Sequence, residues 1–222
     1  MWHDAALVAG RDLRIELRSR VTASQVVPFA LLVLVLFAFA LDPDRGLLER
    51  ASSGLYWTAV LFSALLALGR SAALDESDGV RDALRLSGID PAGVFLGKAA
   101  AVAAQLVVLE VVLAAGVVVL YGAEPAGAAL LVVTCLSATA AVATTGTLYG
   151  ALVAGLQVRE TLLPLVLLPV LAPVLIGATR AFEAALGGVP SEGWPWAGLL
   201  AAFAVLYSLA GALAYGALLE GS

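Results

Sequence analysis

The chain has 222 residues, 62 % of them hydrophobic and 13 % charged, with a net charge of −5 and a mean hydropathy of +1.01. The charged share is about half that of a soluble domain, and a soluble fold of this size could not hide so much apolar surface, which excludes an ordinary cytosolic enzyme, a disordered chain and a nucleic-acid binder. A single cysteine, Cys135, and a single histidine, His3, exclude an internal disulfide, a cysteine-based zinc or iron–sulfur centre and any histidine cluster; what remains is a polytopic membrane protein.

Residues 2–20 predict an amphipathic helix. At 100° per residue, Trp2, Ala6, Ala9, Leu13 and Leu17 share one face, and Arg11, Arg14 and Arg18 share the other. Such a helix lies in the headgroup plane and is drawn to anionic membrane lipids; the plainer alternative is an orientation signal. The first span follows at 24–41. Ala38-Phe39-Ala40 offers a rival reading of it as a cleavable signal, which the patterned stretch ahead of it opposes. The second span is expected at 55–73.

Between the second and third spans the segment Asp75–Asp90 reads DESDGVRDALRLSGID. Asp78 caps a short helix by accepting the free amide hydrogens of its first turn, with Gly79 beside it. Val80, Ala83 and Leu84 share an apolar side, and Arg81 and Arg85 share a charged one. Ser87-Gly88 supplies the stop, and Asp90-Pro91 caps and opens the next helix. Its two readings are a solvated loop and a docking helix for a soluble partner.

The third span, 91–121, carries Glu110 near its middle. A charge at that depth costs at least about 2.5 kcal/mol. No lysine or arginine sits at matching depth, so the expected partners are hydroxyls of the fourth span, among them Thr134, Ser137, Thr139, Thr144 and Thr145. Glu110 is then either a hydrogen-bonded packing contact or part of a transport path. The fourth span, 126–154, holds the small pair Gly146 and Gly150, which suits close helix approach within the chain or in a homodimer. The fifth, 161–179, contains Pro164, Pro169 and Pro173; each removes a backbone donor. This suggests a mobile or cavity-lining helix, or a static kink. The sixth span is expected at 196–219.

Each stretch is apolar all round, unlike a barrel strand with its alternating faces. The fold class is therefore all-α: six transmembrane helices as a single domain, preceded by the in-plane helix. Nine of the twelve basic residues fall on the side of the N-terminus, and Arg45, Arg50 and Arg180 on the other. That imbalance places both termini in the cytoplasm. Tyr56, Trp57, Tyr121, Trp194 and Trp196 are expected as an aromatic belt at the outer interface.

Familiar chemistry is missing. There is no GxxxxGK[ST] loop, no HExxH and no GxSxG. Met1 and His3 are terminal and Cys135 is intramembrane, a poor set of haem ligands. The chain is read as no enzyme, with no cofactor or metal of its own, and energy is expected from a partner.

Three features resemble the cytochrome c maturation protein B (haem exporter B) family. The length and six-span plan with a basic N-terminal helix match over the whole chain. The stretch from Trp57 onward carries Arg70, Asp75, Asp78, Gly79, Leu84, Leu86 and Lys98 in the family's order. Residues 155–178 carry its Gly-Leu and Leu-Pro-x-x-x-Pro pattern at Gly155, Leu156, Pro169 and Pro173. Two positions depart: Gly69-Arg70 stands where members often have Glu-Arg, and Glu110-Val111 where they often have proline. Glu110 therefore inherits no family role.

The resemblance implies an ABC-2-like (type V exporter-like) permease subunit in the inner membrane. Its partners would be an ATPase, the family's A protein, which binds the ATP, and the haem-handling C and small D proteins. ATP hydrolysis would be linked to release of the haem-loaded periplasmic chaperone, the E protein, with Asp78, Gly79, Val80, Arg81, Leu84 and Arg85 docking the ATPase. Alternatives are a permease for another amphiphile and a structural assembly subunit.

Overall fold

A computed structural model describes residues 1–20, 22–41, 45–76, 88–122, 126–153 and 159–220. Among these, every regular element is helical: α1 (Trp2–Ser19), a π-helical turn (Thr22–Val26), α2 (Val27–Leu41), α3 (Arg45–Glu76), α4 (Pro91–Tyr121), α5 (Ala128–Val153), α6 (Arg159–Leu186) and α7 (Pro190–Glu220). Five stretches are long and apolar enough to cross a membrane: Ala51–Ala72, Pro91–Leu120, Ala128–Val153, Thr161–Leu186 and Pro190–Leu218. The expected first span corresponds to Ser24–Ala40, which meets α1 at a bend of 52° and brings the number to six when the bent pair is taken as one span. The turn is made at Arg20, a left-handed residue with φ 53° whose amide closes on the Glu16 carbonyl at 3.0 Å.

The helices overrun several expected bounds. The expected fifth span ends at Thr179, but α6 runs on to Leu186; the expected sixth begins at Trp196, but α7 begins at Pro190. Helix α3 begins at Arg45, ahead of Leu55. The expected cytoplasmic helix, with Asp78, Gly79, Val80, Arg81, Leu84 and Arg85, lies outside the described residues, as do Gly155 and Leu156. Its flanks are described: α3 continues to Glu76, and Asp90 caps α4 by accepting the Ala92 amide at 3.0 Å, with Pro91 in the first turn.

Helix α5 is the hub, contacting α3, α4, α6 and α7. Small residues make this possible, since Ala138, Ala141, Ala143, Thr145 and Gly146 are all buried along it, and helices in lipid associate mainly through close packing. A large core joins α2 to α7 around Leu106, Leu109, Leu113, Leu167 and Leu171. Within α3, Tyr56 is stacked on by Phe182 of α6 at 4.6 Å, and Trp57 stands edge-on to Tyr56 at 5.4 Å. Tyr56 and Trp57 are thus core residues, 0 % and 1 % exposed, which corrects their expected place in the aromatic belt. Because α3 starts at Arg45, they lie well inside the helix. Trp194 and Trp196 do stay exposed. The α6–α7 hairpin closes at Gly188, whose φ of 74° only glycine adopts freely.

Candidate functional site

Polar chemistry gathers in two places. The first is the seat of α1. Helix α1 has three sides where the sequence pattern displays two. Ala5, Val8 and Asp12 are buried against the bundle. Trp2 and Leu17 are exposed on the apolar side, at 75 % and 74 %, and Arg14 and Arg18 are exposed on the charged side. The bundle side rests on α4 at Gly93 and Gly97. A Cβ at Gly97 would stand 2.6 Å from the Ala5 carbonyl oxygen and 2.7 Å from the Val8 Cβ; one at Gly93 would stand 2.9 Å from the Met1 carbonyl oxygen. Only glycine permits this approach, because backbone atoms on the facing helix cannot swing away.

Ion pairs lock the seat. Asp12 meets Arg11 at 2.8 Å and Lys98 of α4 at 3.8 Å. Glu16 receives Arg70 of α3 through both nitrogens, at 3.0 and 3.1 Å, and Arg70 also donates to the Ser19 hydroxyl at 3.1 Å. Two-pronged arginine–carboxylate pairs fix geometry as well as charge. Lys98 is 2 % exposed, so it depends on such partners. Helix α1 therefore bridges the end of α3 and the beginning of α4, the two helices joined by the expected docking segment. Sequence reasoning missed the Gly93–Gly97 pair. A usable signal was Asp12 and Glu16 set among Arg11, Arg14 and Arg18 on α1, with Lys98 inside an apolar helix.

The second place is around Glu110. It is 3 % exposed, and its Oε1 accepts a hydrogen bond from Thr139 of α5. Of the other expected partners, Thr144 donates instead to the Ala140 carbonyl at 2.8 Å, and the Thr134 and Thr145 hydroxyls are buried without a hydrogen bond. Tyr56 donates to the Glu110 main-chain carbonyl at 3.3 Å and lies 3.6 Å from Cys135 Sγ. Beside these groups opens a cleft of about 240 Å³, walled by Val107, Ala114, Leu131 and Phe182. Val111 and Leu136 also line it and are exposed.

The remaining candidates divide. At Gly146 an added Cβ would fall 2.1 Å from Leu68 Cδ1, so α3 packs hard on α5 there. At Gly150 an added Cβ meets nothing within 4 Å. Pro164, Pro169 and Pro173 sit inside an unbroken α6. Pro169 and Pro173 are exposed, while Leu163, Leu167, Leu171 and Val174 carry the packed face. Those two prolines lie on the outer face of α6, while the same helix lends Phe182 to the cleft beside Glu110. An unlooked-for close contact is Gly211 of α7, on which the Phe95 ring rests 2.0 Å from the place of a Cβ. No group of three or more histidine, cysteine or acidic residues able to hold a metal is found among the described residues.

These features define an all-helical, multi-pass membrane protein, its buried polar groups placed between helices. The chain matches the family model described as CcmB protein over residues 4–222. It is 35 % identical over 183 residues to "Heme exporter protein B" of Rhodobacter capsulatus, covering 82 % of this chain and 84 % of that protein. The protein of the same name from Bradyrhizobium diazoefficiens is 34 % identical over 193 residues, 86 % of each chain. That of Pseudomonas aeruginosa is 30 % identical over 188 residues, 85 % of this chain and 84 % of that one. The chain belongs to the CcmB family.

Proposed function

We propose that this chain is the membrane permease subunit of a haem exporter serving cytochrome c maturation, and that it has no catalytic site of its own. The observation that carries the reading is the family match over residues 4–222, with relatives named as haem exporter B over more than four-fifths of their length. The subunit resides in the inner membrane with both termini in the cytoplasm, a direction supported by the basic-residue imbalance. Its partners are an ATPase that binds and hydrolyses ATP, the haem-handling C and small D proteins, and the haem chaperone E. The chain binds no cofactor directly, and haem is handled by the complex.

The coupling mechanism follows from connectivity. The segment 77–87 joins α3 to α4. A partner that closes on ATP and grips Val80, Leu84, Arg81 and Arg85 pushes on the ends of both helices. Because α1 is ion-paired to Arg70 and Lys98, the displacement is shared by three helices. This couples only if the grip differs between the two ATPase states. Coupling ends in release of the haem-loaded chaperone on the far side.

The test is Leu84→Asp. Burying Leu84 in a partner surface contributes about 1.5–3 kcal/mol, so the variant should bind the ATPase roughly ten- to a hundredfold more weakly. It should accumulate in the membrane, lose the ATPase on detergent purification and fail in cytochrome c maturation. Arg85→Ala should do much less, since a rim charge is screened. Full retention of the ATPase by Leu84→Asp would remove this segment from the interface.

A further inference from the structure

We propose that the cleft beside Glu110 is a binding site, open to the bilayer, for a lipophilic amine whose ammonium group pairs with the Glu110 carboxylate. The site does not depend on the cargo of the exporter. It is built by α3, α4, α5 and α6, in the half of the bundle away from α1.

The polar floor defines the chemistry. Glu110 is 3 % exposed, and one carboxylate oxygen is held by Thr139. Among the described residues no cation meets the carboxylate. The Tyr56 hydroxyl gives its proton to the Glu110 main-chain carbonyl, and the Thr139 hydroxyl gives its proton to the carboxylate. The floor is thus rich in acceptors, with both hydroxyl donors already engaged. A ligand that satisfies it must donate, and a positively charged donor gains most at low dielectric. A fatty acid would bring a second carboxylate to the first and is rejected.

The walls define the rest of the ligand. Val107, Ala114, Leu131 and Val132 are apolar, and the Phe182 ring stacked on Tyr56 offers an aromatic surface to a cation. A volume of about 240 Å³ is smaller than that of sites enclosing a whole drug-sized ligand. It therefore takes the head of an amphiphile and leaves the chain in lipid, past the exposed rim residues Val111 and Leu136. Intramembrane carboxylates are retained where they meet a partner or a pathway, and here the partner is supplied from the bilayer.

The test is equilibrium binding of radiolabelled dodecylamine to the full chain in lipid nanodiscs, with empty nanodiscs as baseline. Saturable binding of one amine per chain is expected. Glu110→Gln, which keeps an acceptor for Thr139, should weaken it at least tenfold. Val111→Trp, which blocks the rim and leaves Glu110 intact, should weaken it similarly, so the result does not rest on one variant's folding. Unlabelled dodecylamine should compete, and dodecanol and dodecanoic acid should not. Binding no greater than in empty nanodiscs, equal competition by dodecanol, or undiminished affinity in Glu110→Gln would each overturn the proposal.

Discussion

Replacing Gly97 with alanine should unseat α1, and the structure sets the size of the effect. The added methyl would lie 2.6 Å from a backbone oxygen and 2.7 Å from the Val8 Cβ. The first obstacle is main chain, so relief requires the whole helix to move. Overpacking of this kind costs about 1–3 kcal/mol, which displaces the docking equilibrium roughly five- to 150-fold. A helix that lifts away also exposes Val8, now 4 % exposed, whose burial contributes about 1.5–3 kcal/mol, and draws Asp12 from Lys98. The assay is thiol labelling of Val8→Cys in a Cys135→Ser background. Labelling should be slow with Gly97 present and clearly faster with Gly97→Ala or Gly97→Val. Gly10→Ala is the control, because a Cβ there meets nothing within 4 Å and alanine favours the helix by up to about 1 kcal/mol. Equal protection of Val8→Cys with Gly97, Gly97→Ala and Gly97→Val would refute the reasoning, since α1 would then not rest on Gly97.

In the same cysteine-free background, thiols placed at Ser191 and Ala126, both exposed, should react with an impermeant reagent from outside, and one at Arg18 only after permeabilisation; Ser52 is unsuitable because it is 1 % exposed. Glu110→Gln should accumulate normally, whereas Glu110→Lys, bringing a cation with no anion at its depth at a cost of about 2.5–3.5 kcal/mol, should accumulate poorly on membrane immunoblots. Gly211→Ala should lower thermal stability in detergent by about 1–3 kcal/mol, because its methyl collides with the buried Phe95 ring, while Gly150→Ala should be neutral or slightly stabilising.

The number and order of apolar helices could be read from hydropathy because a bilayer imposes length and composition directly. Bounds were harder to read: α3 and α7 begin with residues such as Arg45 and Glu192 that a hydropathy window discards, although a helix continues into water without penalty. Tyr56 and Trp57 show the cost of that error, since an aromatic near an apparent helix end looks interfacial until the helix proves longer. Small-residue pairs were legible as a motif but not as a contact. Gly93–Gly97 and Gly146–Gly150 have the same spacing, and what distinguishes them is the facing helix, which no local pattern specifies. Thr139 was one of several hydroxyls proposed for Glu110, and its selection depends on the rotation of α5 against α4. The exposed face of Pro169 and Pro173 was equally illegible, since α6 carries apolar side chains on every side.

The seat of α1 also imposes an order of assembly. Helix α1 leaves the ribosome first, but Gly93, Gly97 and Lys98 belong to α4 and are synthesised only after α2 and α3, and even Arg70 lies 54 residues beyond Glu16. Until α4 is in the membrane, the nascent α1 carries Asp12 and Glu16 at the surface with no complete groove to receive them, and N-terminal segments made early must wait for their later partners. Docking of α1 thus marks the completion of the first half of the chain. A polypeptide stalled before Pro91 would carry a loose, half-apolar α1 whose Ala5–Val8–Asp12 side has nothing to rest on.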